Sequence, residues 1–365
     1  MIKLFLAGDV MTGRGIDQIL PHSVDPRLHE PYVKDARGYV RLAEEANGPI
    51  PQGVGYDYVW GDGLAELAAR RPDARIINLE TAVTKSSDCW RGKSIHYRMH
   101  PENVRLLSEA QVDICVLANN HVIDWGRAGL QETLAAIASH GIQTCGAGSD
   151  KQAAQKPAAL DLRPGRLLAF AYGSPSAGVP DDWSSRRHRP GVNLLADFGP
   201  GSAQKVIAQV EGARAPGDRV LISLHWGGNW GYEVTPAQRE FAHRLLDAGV
   251  ADVIYGHSSH HPKGIEVYRG RLILYGCGDL INDYEGIRGH EEFRPELSLM
   301  YFVELADSGQ LASLEMTPMR IRRFRLERAS EEEGSWLRNA LDRESRKLGA
   351  RVEETSSGRL ALRWG

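Results

Sequence analysis

Cysteine is scarce, with four residues in 365: Cys89, Cys115, Cys145 and Cys277. They are widely spaced and form no CxxC pair, which excludes a disulfide scaffold and points to buried free thiols. Positive charge is not in excess. The formal net charge is −3, so nothing argues for the basic face that a nucleic-acid partner requires. No apolar run is long enough to span a bilayer. The N-terminal MIKLFLAGDVMTGRG enters a strand at once and lacks the regions of a signal peptide. The expectation is a cytoplasmic protein with neither nucleic acid nor membrane as partner. Internal repeats and low-complexity tracts are also missing. What remains is ordinary globular composition, 42% hydrophobic and 25% charged, in a chain long enough for one large α/β domain.

Short apolar runs alternate with helical patterns. Strands are predicted at 2–8, 74–80, 112–121, 142–148, 219–228, 251–257 and 271–279. Helices are predicted at 101–111, 127–140, 201–214 and 236–249. Ser330 and Glu333 form a capping-box pattern that opens a final helix. This alternation predicts an α/β fold with helices outside a mostly parallel sheet. The expected organisation is one domain over residues 1–328, with long loop excursions at 21–60 and 174–200. A helical extension over 329–365 would pack on it.

The informative pattern is where the strands end. Asp9, Glu80, the run Asn119-Asn120-His121, His225 and His257 each follow an apolar run, and GCGDLIND brings Asp279, Asn282 and Asp283 after another. In parallel α/β folds the carboxyl ends of the strands form the ligand site. Residues spread over most of the chain would therefore meet in one crevice. Carboxylates, an amide oxygen and imidazoles suit Mn, Zn or Fe. The same groups without metal could move protons. Trp226 and Trp230, in HWGGNWGY, are either substrate-pocket walls or packing residues. Arg14 beside Asp9, and Arg98 in IHYRMHP, are candidate clamps for an anionic substrate group.

The motifs GDVMTGRG, NLETAVT, LANNHVIDWGRAGLQETL, ISLHWGGNWGYE, GHSSHHPKGIEVYRG and LILYGCGDLINDYEG resemble, in order, those of the CapA family. These are the poly-γ-glutamate capsule synthesis proteins, with a fold like that of calcineurin-type metallophosphoesterases. The resemblance covers about residues 2–305. It implies a metallophosphatase-like layered fold in which Asp9 holds one metal and Glu80 takes the bridging place. Asn120, His225, His257 and His260 would be further ligands. His121 would be a proton donor oriented by Asp124. Two departures stand out. Asp9-Val10-Met11 replaces Asp-x-His, and Gly256-His257-Ser258-Ser259-His260 replaces Gly-His-x-His with a spacing wider by one. Family members at the envelope carry an N-terminal membrane anchor, and none is read here.

Three functions follow as expectations. The first is a hydrolase using one or two divalent ions on a phosphoester or γ-linked amide, with Arg14 offsetting negative charge. The second is a metal-free peptide epimerase pairing Asp9 with His257. The third is a non-catalytic polymer-binding assembly protein. The substrate would be a small molecule, a polymer or a peptide, and self-association stays open.

Overall fold

The structure, a computed structural model, describes residues 1–162 and 165–365. Two sheets make its centre. In the first, strands Ile2–Val10, Ala74–Leu79, Ile114–Val116 and Gln143–Cys145 run parallel. Asp279–Ile281 adds a short parallel pairing to the end of the first strand. On the far side of Ile2–Val10, the strands Leu297–Leu305 and Leu311–Arg322 continue the sheet antiparallel. In the second sheet, Arg166–Gly173, Arg219–His225, Val253–His257 and Arg271–Leu274 are parallel. Ala158–Asp161 and Ile265–Tyr268 close its two edges antiparallel.

The period-two alternation of strand side chains sorts residues of the second sheet into two cores. Leu167, Ala169, Leu221, Val253, Tyr255 and Leu274 join the large core shared with Leu4, Leu6, Ile76 and Ile114 of the first sheet. Their neighbours Leu168, Phe170, Val220, Ile222, Ile254 and Ile273 face outward. There they meet Val206 and Val210 of helix Pro200–Glu211, and Phe241 and Leu245 of helix Pro236–Asp247. Thr235 and Gln238 form a capping box that starts this second helix, with Pro236 in its first turn. The Tyr255 hydroxyl crosses between the sheets and donates to the carbonyl of Ala7.

The layered α/β architecture is as expected from the sequence, with helices outside. Its central layer is two sheets face to face: the first is parallel out to the edge strand Gln143–Cys145 and antiparallel on its other side, and the second is parallel in the middle and antiparallel at both edges. An apolar run says that a strand is buried, but not which sheet it joins. The last segment departs from the helical extension predicted for it. Helix Glu331–Arg346 does open on the Ser330–Glu333 capping box. Strands Ala350–Glu354 and Leu360–Trp364 follow it as a hairpin, and Leu360–Trp364 pairs with Leu311–Arg322 at the edge of the first sheet. The alternation in RVEETSSGRLALRW was the missed strand signal. Within the 21–60 excursion a helix spans Arg37–Asn47. Among the described residues no helix is long and apolar enough to cross a membrane.

Candidate metal centre

The carboxyl ends of both sheets meet over one buried cluster. Strand register builds it. Asp9 pairs with Asn78 on one side and Asp279 on the other, and His225 pairs with His257 in the second sheet. A close approach makes this possible. A Cβ on Gly8 would lie 1.6 Å from the Gly278 carbonyl oxygen, so only glycine lets the first strand run against that segment.

Asp9 is fully buried. Its Oδ1 accepts from Asn78 Nδ2 at 2.7 Å and lies 3.3 Å from His257 Nδ1. Its Oδ2 accepts from the Ser258 backbone N–H at 3.3 Å. Asn78 Nδ2 also reaches Glu80 Oε2 at 3.1 Å, and Asn119 Nδ2 donates to Asn78 Oδ1 at 3.0 Å. Glu80 Oε2 lies 4.0 Å from His225 Nδ1. His225 Nε2 is 3.0 Å from Asn120 Oδ1. On the other side, His260 Nδ1 lies 2.9 Å from Asp279 Oδ1, and Asn282 Nδ2 holds Asp279 Oδ2 at 2.8 Å.

Two groups of potential ligand atoms result, each with its atoms within 4.8 Å of one another: Asp9, Glu80 and His225, and Asp9, His260 and Asp279. Asp9 is common to both, whereas Glu80, to which the resemblance gave the bridging place, belongs to one. Met11 is buried and brings no ligand. Asp279, in register across from Asp9, offers a carboxylate on that side instead. Ser258 replaces an imidazole, and its strained backbone (φ 89°) turns an amide onto Asp9.

The electrostatics fit a cation. Three buried carboxylates converge, and among the described residues neither Lys nor Arg forms an ion pair with any of them. Burial, together with the charges of Asp9 and Asp279, pushes the Glu80 carboxyl far above its ordinary range. Burial lowers His225 to about 3, against the pull of Asp9. Burial opposes protonation of His260, but the Asp279 carboxylate outweighs it and raises that imidazole. His225 Nδ1 and both ring nitrogens of His257 are buried without a hydrogen-bond partner. Such nitrogens are costly unless something ligates them. Oxygen and imidazole donors in this mix suit Mn, Fe or Zn.

His121 stands beside this cluster. Its Nδ1 lies 2.6 Å from Asp124 Oδ2, and its Nε2 lies 3.8 Å from Glu80 Oε1. Asp124 is fixed in turn by the Tyr97 backbone N–H at 2.8 Å and by Lys93 Nζ at 2.5 Å. Burial lowers His121 to about 4 despite Asp124.

A vestibule of about 340 Å³ opens next to His260. Tyr39, Tyr97, Tyr284 and Trp230 line it, with Trp230 stacked on His290 at 3.9 Å. Tyr32, 92% exposed, and Ile287 stand at its lip.

The structure therefore brings together Asp9, Glu80, Asn120, His121, Asp124, His225, His257 and His260, with Trp230 in the adjoining wall. Three further candidates are not part of this cluster. Trp226 is a core residue: its ring lies 5.5 Å from Phe198 and 6.0 Å from Tyr275, and its Nε1 donates to the Tyr275 carbonyl at 3.0 Å. The strand alternation that points His225 into the centre points the next residue away. Arg14 reaches the vestibule wall, but its charge is already met. It binds Asp283 through two nitrogens and Glu30 through a third, stacked between Tyr39 and Tyr97. Arg98 lines a different recess, next to Trp125. Asn78, Lys93 and Tyr97 were missed. Asn78 lies two residues before Glu80 on the same strand face, a signal that spacing could have given. Lys93 sits in a segment with no periodic pattern.

Comparison with known proteins places these residues in context. Residues 3–284 match the family model "Bacterial capsule synthesis protein PGA_cap". A probable polyglutamine synthesis accessory protein of Mycobacterium tuberculosis is 49% identical over 355 residues, covering 96% of this chain and 93% of that protein. The PGA biosynthesis protein CapA of Bacillus subtilis is 29% identical over 67% of this chain and 60% of its own length. Among solved structures, a 5'-nucleotidase precursor from Thermus thermophilus aligns with 93% of this chain and 57% of its own, at 13% identity and a TM-score of 0.42.

Proposed function

This chain belongs to the bacterial capsule synthesis protein PGA_cap family, and from that premise we propose that it is a metal-dependent hydrolase. Its substrate would be a glutamyl polymer or a precursor of one, cut at a γ-linked amide or a phosphoester. The names of its relatives, in polyglutamine and PGA synthesis, support that substrate class. The observation that carries the reading is Asp9, buried and common to two groups of ligand-type atoms.

One or two ions of Mn, Zn or Fe held there supply Lewis acidity and offset the charge of three carboxylates. The remaining work belongs to the chain. Asn78 fixes the orientation of Asp9 and Glu80. Asp124 and Lys93 lock His121 so that Nε2 faces the centre and exchanges a proton with the reacting or leaving atom. The aromatic vestibule orients the substrate and limits access of bulk water. Inversion of a Cα centre would need acid and base on opposite faces of the substrate. Asp9 Oδ1 and His257 Nδ1 are 3.3 Å apart, too close to hold a carbon between them, so this pair does not suit inversion of a Cα centre.

The test is metal content by elemental analysis of untagged protein, beside Asp9→Asn. Near one or two ions per chain are expected, lost in the variant, with hydrolysis abolished by chelation and restored by Mn, Zn or Fe. Full turnover in a metal-free preparation would overturn the reading. Function that survives Asp9→Asn combined with His257→Ala would show a binding or assembly role instead.

A further inference from the structure

Two arginines, Arg14 and Arg98, are almost fully buried, and their surroundings differ. Arg14 has two carboxylate partners. Arg98, 5% exposed, has none: among the described residues no carboxylate lies within ion-pair distance of it. Its Nη1 donates to the Ser86 carbonyl at 2.5 Å and its Nη2 to the Asp25 carbonyl at 2.9 Å. Its guanidinium stacks on Trp125 at 3.7 Å. Those contacts fix the group in place without neutralising it, and a buried cation is ordinarily paired.

Arg98 lines a recess of about 550 Å³, distinct from the vestibule. Lys85, Arg27, His29 and His100 share its wall with Trp125. Asp25 is the only carboxylate among the lining residues, and Arg27 already holds it through two nitrogens. Three cations therefore face one carboxylate, in a chain whose net charge is −3. Lys85, like Arg98, has no ion-pair partner among the described residues. The volume falls in the range of small-ligand sites and exceeds the need of a single small ion.

We infer that this recess is a second binding site, for a ligand carrying more than one oxyanion group, with Arg98 as its anchoring cation. A guanidinium fixed by its outer nitrogens and backed by an indole face suits carboxylate or phosphate. Two sources share that chemistry: an acidic peptide chain and a polyphosphate group. The site stands apart from the metal centre and does not rest on the hydrolase reading.

The test is isothermal titration of the full chain at fixed pH, with tri-γ-glutamate peptide and pyrophosphate as probes. It is run on the unmodified protein and on Asp9→Asn, which separates this recess from the centre. For at least one probe a binding site is expected that persists with equal affinity in Asp9→Asn, whatever the centre itself binds. Arg98→Gln should weaken it at least about tenfold, and Lys85→Ala several-fold. Binding of the peptide alone assigns carboxylates, and binding of pyrophosphate alone assigns phosphates. Lys85 is exposed, so its variant decides the matter should Arg98→Gln fail to fold. No binding of either probe, affinity that survives these substitutions, or binding lost in Asp9→Asn would overturn the inference.

Discussion

His121 carries a sharp residue-level expectation. Replacing it with Ala should lower kcat by about 10²–10⁴ while leaving metal content unchanged, because it lies beside Glu80 and belongs to neither ligand group. Kinetics and elemental analysis on one preparation read both quantities. The two tryptophans of HWGGNWGY should separate in the opposite sense. Trp226→Ala removes a buried ring and should cost about 3–5 kcal/mol in denaturant unfolding. Trp230→Ala should raise KM and leave stability nearly unchanged, because its ring lines the vestibule. At this scale the sequence was most legible where a polar residue closes an apolar run: Asp9, Glu80, His225 and His257 all reached the centre. It was least legible where tertiary pairing decides a side chain's task. Nothing in the spacing of Arg14 tells that Asp283, far along the chain, takes up its charge.

At the scale of elements, the approach of strand Ile2–Val10 to the segment Gly276–Asp279 is the joint on which the centre depends. Gly8→Ala would force a Cβ into the Gly278 carbonyl. The expected outcome is a loss of more than about 3 kcal/mol or failure to fold, seen as a lowered Tm. A second joint lies at Asp17, whose carboxylate accepts from the backbone N–H groups of Val24 and His100 and from Asn103 Nδ2. Asp17→Asn places donors against donors and should cost about 1–3 kcal/mol. Most strands and helices could be read from periodicity and caps, among them the helix opened by Ser330 and Glu333. Partition into two sheets could not, because buried strands of either sheet carry the same Val, Ile and Leu runs. Strand Ile265–Tyr268 went unread for a related reason: IEVY is short and lies inside a motif dominated by histidines.

Across the whole molecule, the C-terminal hairpin covers one edge of the first sheet. A chain ending at residue 349 would leave part of strand Leu311–Arg322 without its partner Leu360–Trp364. Such an edge invites pairing between copies, so light scattering should detect more association than in the full chain. The centre has a molecular consequence of its own. Asp9 and Glu80 belong to one sheet and His225 to the other, so a ligand held by all three ties the two halves of the sandwich together. By mass action, a metal at a hundred times its Kd would add about 2.7 kcal/mol to the folded state. Because Asp9 is common to both ligand groups, their occupancies would be linked rather than independent if each held an ion. The first equivalent would then reset the affinity for the second, and the melting temperature would climb in two unequal steps as metal is titrated in. His225→Ala or Asp279→Ala would each erase one step, and Asp9→Asn would erase both.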